Sequence, residues 1–143
     1  MAKSFEAQVS ERVAAYQKRL EATFRASAQD LAEEATRPVA KGGRMRVKTG
    51  FLRASLLAST SSMPLIQNGK RPSADAADNS FRLDENQITL AIAGAKLGET
   101  IYLGFTADYA APREYRDGFV RLAAQNWQQI VNRNAQKAVR AFP

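Results

Sequence analysis

Apolar residues recur at steps of four and three along the start of the chain, which predicts one long amphipathic helix. Pro38 is expected to end it, because the residue before a proline is disfavoured in helical conformation. A helix of about thirty residues would be about 45 Å long, more than a compact domain of this size accommodates. Part of its stripe is therefore expected to be covered by a neighbouring subunit. The stripe comprises Phe5, Val9, Val13, Tyr16, Leu20, Phe24, Ser27 and Leu31.

A basic loop and a short helix are predicted next. Residues 38–48 contain a proline, two glycines and several basic side chains, as a loop would. Thr49 can then accept a hydrogen bond from a free backbone N–H of a first helical turn, and Gly50 lets the backbone bend into that turn. Arg53 is expected to point away from the apolar side of this motif helix. That side would be formed by Phe51, Leu52, Ser55 and Leu56.

The centre of the chain predicts a small antiparallel sheet. Leu57–Ser62 has the residues of a strand that enters a turn, and residues 67–80 form an exposed loop. Gln87–Ala93 alternates polar or small residues with large apolar ones, as a half-buried strand does. Thr100–Thr106 is its expected antiparallel partner. The glycines and lysine of residues 94–100 lack the spacing of a phosphate-binding loop, so a strand-connecting turn is expected there.

The end of the chain predicts a second helix, Gly118–Phe142, packed on the sheet. Its apolar face is interrupted by Asn134 and includes Trp127, which is expected in the core, with an anchor at a subunit boundary as the alternative. The fold class is therefore α+β: a long N-terminal helix, a short motif helix, a small antiparallel sheet and a C-terminal helix. At 143 residues the chain is expected to form one domain, residues 1–143.

The composition excludes several kinds of chemistry. Cysteine and histidine are both absent, so disulfides, thiolate zinc sites and every Ser-His or Cys-His catalytic arrangement are ruled out. The carboxylates in or beside the exposed loop match no known metal cage; they are Asp75, Asp78, Asp84 and Glu85. We therefore expect no enzyme, no metal and no cofactor. No apolar run approaches the roughly twenty residues that span a bilayer, and no apolar signal segment follows Met1, so a cytoplasmic origin is expected.

The net charge of +7 is concentrated in one part of the chain. Between Ala35 and Ala74 there are eight basic residues and no Asp or Glu. Such a block attracts polyanions or acidic protein surfaces, although a solvated, mobile loop would carry the same charge. The block comprises Arg37, Lys41, Arg44, Arg46, Lys48, Arg53, Lys70 and Arg71.

Two short segments carry a resemblance to a known family. Thr49–Leu56 contains Thr-Gly-x-Leu-Arg-x-Ser, and Tyr109–Phe119 contains a Tyr-Ala pair followed by Glu114 and Gly118. This order, between a long helix and a C-terminal helix, resembles the neck, or tail-completion, family of long-tailed bacteriophages and related gene-transfer particles. The resemblance covers nearly the whole chain. Arg113 departs from it, because that family usually has an aromatic or aliphatic residue before the glutamate.

The resemblance implies a structural virion protein at the phage neck, also described as head-tail joining or minor tail. Copies would form a ring, hexameric by that resemblance, which joins the head connector or stopper to the tail terminator or tail tube and lets DNA pass. Assembly would take place in the host cytoplasm. Arg44, Arg46, Lys48 and Arg53 would face an acidic neighbour or the DNA. The residues expected to shape the motifs are Thr49, Gly50, Leu52, Ser55, Tyr109, Glu114 and Gly118.

Two other functions remain open from the sequence. The basic block and a pI near 10.1 suit a stand-alone nucleic-acid-binding module. Against this, Phe51 is the only aromatic residue in the block that could stack on a base. Small α+β proteins also serve as tail-tube terminators, so the position along the tail stays open. An enzyme that uses carboxylates and a metal ranks last.

Overall fold

Helices dominate the structure, and the α+β class predicted from the sequence is confirmed. The computed structural model describes residues 2–143. In chain order its elements are α1 (Phe5–Thr36), a 3-10 turn (Val39–Lys41), α2 (Phe51–Ala54), β1 (Leu56–Ser59), α3 (Glu85–Ala93), β2 (Tyr102–Phe105), α4 (Ala110–Asp117), α5 (Phe119–Gln125) and α6 (Trp127–Ala141).

The long N-terminal helix is confirmed as α1. Ser4 caps its start, because the Ser4 hydroxyl accepts a hydrogen bond from the backbone N–H of Ala7 at 3.1 Å. At the other end Arg37 is extended, as expected for the residue before a proline. The Arg53 side chain donates from Nε to the Thr36 carbonyl at 2.9 Å and so binds one of the free carbonyls of the last turn. At 32 residues α1 is about 48 Å long.

Helix α6 packs antiparallel along the second half of α1. Asn126, just before α6, donates to Glu34, whereas Phe142, just after α6, accepts a hydrogen bond from Arg19. The expected packing of the C-terminal helix on the sheet is therefore wrong in detail: α6 lies on α1. The predicted single helix is also divided, because the backbone breaks at Asn126 between α5 and α6.

Asn134 fixes the register between α1 and α6. It is buried, and its amide nitrogen lies 3.0 Å from Asp30 Oδ2, 3.3 Å from Ser27 Oγ and 3.0 Å from the Ile130 carbonyl. Burial alone would raise the pKa of Asp30. The hydrogen bonds from Asn134 and Arg133 outweigh it, with the positive charges of Arg133 and Lys137, and hold the pKa below its ordinary value of 3.8.

Replacing Asn134 with alanine is expected to destabilise the protein by about 1–3 kcal/mol, because Ser27 and Asp30 would lose a buried donor. Urea denaturation followed by circular dichroism measures the change in the free energy of unfolding. Asn132→Ala is the matched control, since Asn132 is exposed on the same helix and contacts only Gln128; it should change the free energy by less than about 0.5 kcal/mol. Equal effects of the two substitutions would show that Asn134 does not set the register.

The sheet consists of β1 and β2, paired antiparallel with Leu56 opposite Phe105 and Ser59 opposite Tyr102. Its inner face packs against α1 and α3 in one apolar cluster. The outer edge of β1 is closed by Gln87 of α3, whose side-chain amide accepts from Ala58 N at 3.0 Å and donates to Ala58 O at 2.6 Å. The buried members of the cluster are Ala28, Ala32, Leu56, Ala58, Ile88 and Ile92.

The predicted strand Gln87–Ala93 is wrong, because this segment lies within α3. Asp84 caps the helix by accepting from Gln87 N at 3.2 Å. Ile88 and Ile92, four residues apart, then face the core together, whereas Leu90 between them is exposed. The strand that was expected to pair with it, Thr100–Thr106, does contain β2, but β2 pairs with β1. The loop at 67–80 is confirmed. Residues 94–100 connect a helix, α3, to β2, so the expected turn between two strands is wrong.

Candidate functional site

The first motif segment, Thr49–Leu56, forms a tight capped turn. Phe51 N donates to Thr49 Oγ1 at 3.2 Å, so the predicted cap is confirmed. Gly50 adopts the left-handed conformation with a φ of 85°, and a Cβ at this position would lie 2.3 Å from the Phe81 carbonyl oxygen. Ser55 is buried and donates its hydroxyl hydrogen to the Leu52 carbonyl at 2.7 Å. Leu56 begins β1 instead of continuing the helix.

The second motif segment, Tyr109–Phe119, joins α4 to α5 through a sharp bend. Gly118 makes the bend with a φ of 66°. Glu114 then reaches across it: its carboxylate oxygens accept from Val120 N at 2.8 Å and Arg121 N at 3.0 Å. These N–H groups belong to the first turn of α5 and have no partner within the helix. Glu114 therefore acts as the cap of α5.

Replacing Glu114 with alanine is expected to cost about 1–2 kcal/mol of stability, because two N–H groups at the start of α5 lose a charged acceptor. Thermal unfolding monitored by circular dichroism measures it. Arg116→Ala, an exposed change on the same helix, is the control and should be nearly neutral. If the two variants unfold at the same temperature, Glu114 does not cap α5.

The two motif segments meet in one apolar cluster, although they lie more than fifty residues apart. Tyr109 stacks on Phe51 with ring centroids 6.3 Å apart and an interplanar angle of 26°. Phe119 packs edge-on against Phe105 of β2 at 5.1 Å. Burial raises the pKa of Tyr109 despite the nearby charge of Arg113. The buried members of this motif cluster are Met45, Leu52, Ala107, Ala110 and Phe119.

Three of the four predicted partner-facing cations form a row on the surface. Residues 44–48 alternate, so that Met45 is fully buried and Val47 half-buried while Arg44, Arg46 and Lys48 are exposed. Alternation of this kind places every second side chain on the same side of an extended segment. We call Arg44, Arg46 and Lys48 the basic row. Its anchor, Met45, belongs to the motif cluster.

Backbone contacts hold the basic row in place. Met45 N donates to Arg37 O at 3.3 Å, and Val39 N donates to Met45 O at 3.0 Å. Arg46 also lies 3.4 Å from Asp117 at the end of α4. The fourth predicted cation, Arg53, is not part of the row: it is half-buried and bound to the C-terminus of α1. The contact with α1 explains the position of Arg53, so no partner molecule is needed to account for it.

The loop carboxylates do not converge. Within residues 2–143, no group of three or more carboxylates lies close enough to hold a metal ion. Asp84 serves instead as the cap of α3. Asp108, which was not singled out from the sequence, pairs with Arg71 at 2.5 Å and so connects the exposed loop to β2.

The first half of α1 extends past most of the rest of the structure, although Pro143 lines a cleft together with Val13 and Tyr16. The end of α6 contacts α1 at Arg19, and residues 5–18, which we call the arm, continue beyond that contact for about 21 Å. Its apolar stripe is uncovered: Phe5 exposes 80% of its surface and Tyr16 exposes 60%, with Val9 and Val13 also exposed. This agrees with the expectation that α1 is too long for its own domain to cover.

A groove beside the arm was not predicted from the sequence. It lies where α1 meets the turn before β2 and the start of α6, and it is lined by Leu20, Phe24, Leu97, Trp127 and Val131 among others. Trp127 exposes 40% of its surface, so its expected core position is wrong. The signal for the exposure of Trp127 was its place in the first turn of α6, directly after the helix break at Asn126.

Comparisons of the chain with protein-family models, curated proteins and solved structures returned no match. Among residues 2–143, no helix combines the length and the apolar character that crossing a bilayer requires. Inferences about function therefore rest on the arm, the groove, the motif cluster and the basic row.

Proposed function

We propose that this chain is a non-enzymatic structural protein of a phage or phage-like particle and that it acts by self-assembly at the head–tail junction. The observation that carries the proposal is the arm, whose large apolar side chains stay exposed over about four helical turns. Exposed apolar stripes of this size mark surfaces that bind protein. The absence of cysteine and histidine supports a role without catalysis.

The motif cluster supports the placement at the neck. The two segments that carry the resemblance to neck proteins pack against each other and share Leu52, Phe51, Tyr109 and Phe119. Two short motifs that pack into one cluster support the resemblance more strongly than two short matches that do not contact each other. The cluster also anchors the basic row at Met45, which gives that row a fixed position on the surface.

In the proposed assembly, copies associate into a ring around a channel, with the basic row on an acidic neighbour or on the passing DNA. Cations on such a row attract phosphates or carboxylates without reading a sequence. Attachment to the tail is then expected to weaken as salt rises, because exposed charge pairs are screened. Neighbours at the head connector, the tail terminator or the tail tube fit this arrangement.

A stand-alone nucleic-acid-binding module is the second candidate, and the basic row favours it. Its three cations are exposed and alternate with the buried Met45 and the half-buried Val47. Titration with duplex and single-stranded DNA at physiological salt discriminates the two: micromolar or tighter binding by the isolated monomer supports the module. A ring protein should bind DNA weakly as a monomer, because one short row neutralises few phosphates.

Co-sedimentation with purified tails of long-tailed phage particles from the same host tests the proposed function. The protein is expected to join the tails at low salt and to dissociate as salt rises. Arg44→Glu combined with Lys48→Glu should lower the fraction bound. Arg82→Glu combined with Arg140→Glu makes the same change of charge at two exposed positions outside the row and should not. A protein that never joins the tails at any ionic strength would overturn the proposal.

A further inference from the structure

The arm has the features of one half of a helix-packing interface. Phe5, Val9, Val13 and Tyr16 lie within about 80° of one another on a wheel of 100° per residue. The arm also has no net charge, because Glu6 and Glu11 balance Arg12 and Lys18, whereas the whole chain carries +7. A neutral arm can approach another copy of this basic chain without net repulsion.

The groove has the features of the other half. Its volume is about 340 Å³, roughly twice the ~150 Å³ of an apolar cavity that holds a benzene molecule. Glu99 is the only charged residue among those that line it. Its other lining residues are apolar or uncharged, so the groove suits an apolar helix stripe.

An arm cannot fill the groove of its own chain. Leu20 and Phe24 line the groove and lie on α1, the same continuous helix that forms the arm. The helix would have to fold back on itself to bring Phe5 to Leu20, but these residues are about 22 Å apart along its axis. An arm that packs in the groove must therefore come from another copy of the chain.

We propose that the arm of one copy packs in the groove of a second copy, with Phe5 as the anchor beside Trp127. Each copy then offers one arm and one groove, so association can continue from copy to copy until a ring closes. Buried aromatic anchors of this kind dominate the affinity of protein interfaces. The proposal names the interface of the assembly described above, and it rests on that proposed function only for the closure of the ring.

Trp127 provides a direct test because it is the only tryptophan in the chain. Its fluorescence emission should shift to shorter wavelength as the protein concentration rises, in parallel with the molar mass measured by light scattering. Phe5→Glu should weaken the association by about 30-fold or more, the effect of losing one anchor residue. Phe5 is exposed, so this variant should keep the wild-type circular dichroism spectrum.

Ala14→Glu is the matched control. Ala14 is exposed and lies on the opposite side of the arm, about 140° from the centre of the stripe. The Ala14→Glu substitution adds the same negative charge as Phe5→Glu, yet it should leave both the emission shift and the molar mass unchanged. An equal loss of association in the two variants would overturn the proposal, because charge rather than the stripe would then be responsible.

A disulfide test locates the contact. The chain contains no cysteine, so a Phe5→Cys variant and a Leu97→Cys variant can be mixed and oxidised. A mixed dimer should form faster than either variant forms a disulfide with itself. No mixed dimer, or an emission shift that appears only when anionic lipid vesicles are added, would overturn the proposal.

These results separate this inference from the proposed function. Assembly without any change in Trp127 emission would overturn the arm-and-groove contact and leave the ring in place. An emission shift that depends on Phe5, in a protein that never binds tails, would support the contact and contradict the role at the neck.

Discussion

Replacing Phe119 with alanine is expected to destabilise the protein by about 3–5 kcal/mol, the usual cost of removing a buried aromatic side chain from a core. Phe119 is 1% exposed and is the largest buried member of the motif cluster. It contacts β2 through Phe105 and begins the helix that Glu114 caps. A cavity here would loosen both motif segments together.

Val120→Ala is the control for this prediction. Val120 is the next residue of α5 and is exposed, so its truncation should change the free energy of unfolding by less than about 0.5 kcal/mol. Guanidinium denaturation of the three proteins gives the comparison. If Phe119→Ala costs no more than Val120→Ala, the motif cluster does not hold the two segments together.

Replacing Gly50 with alanine is expected to cost about 2–5 kcal/mol. The left-handed backbone accounts for about 1–2 kcal/mol. The new Cβ would also lie 2.3 Å from the Phe81 carbonyl oxygen, and moving a backbone group out of a packed position costs about 1–3 kcal/mol more. The hydrogen bond from Phe81 N to Thr49 O, at 3.0 Å, should be lost with it.

Gly42→Ala separates these two contributions. Gly42 has almost the same φ, 84°, but a Cβ there would meet nothing within 4 Å. It should therefore cost only the conformational part, about 1–2 kcal/mol. Equal losses of stability in the two variants would show that Phe81 does not constrain the motif turn.

The elements that were predicted correctly are those whose signals are local. Helix α1 follows from a stripe that recurs over seven turns and from Pro38 just beyond it. The turn at Thr49 and Gly50 follows from adjacent residues, because a cap and a left-handed glycine involve neighbours in sequence. The α1 pattern was unambiguous because the stripe is long, and the turn pattern was unambiguous because Thr49 and Gly50 are adjacent in the sequence.

Helix α3 was mistaken for a strand because seven residues are too few to decide. Gln87–Ala93 fits both the alternating pattern of a strand and the four-residue spacing of a helix, because Ile88 and Ile92 occur in both patterns. Asp84 was the deciding residue, as it caps the helix from outside the window. The true partner of β2, Leu56–Ser59, lies more than forty residues earlier. No local pattern identifies such a pairing.

The candidate site also divides into features with local sequence signals and features that depend on contacts between distant residues. The basic row was named from its charge, but its alternation with Met45 and Val47 became meaningful only once Met45 was found in the motif cluster. In the sequence Asn134 interrupts an apolar helix face. In the structure it binds Ser27, which lies more than one hundred residues away in the chain. Contact between the two motif segments depends on the same long-range packing.

Electron microscopy of the purified protein tests the central claim that the chain is completed by sister copies. We expect annular particles with an open channel at concentrations where the Trp127 emission has shifted, and none in the Phe5→Glu variant. The absence of annular particles at every concentration and ionic strength would contradict the account.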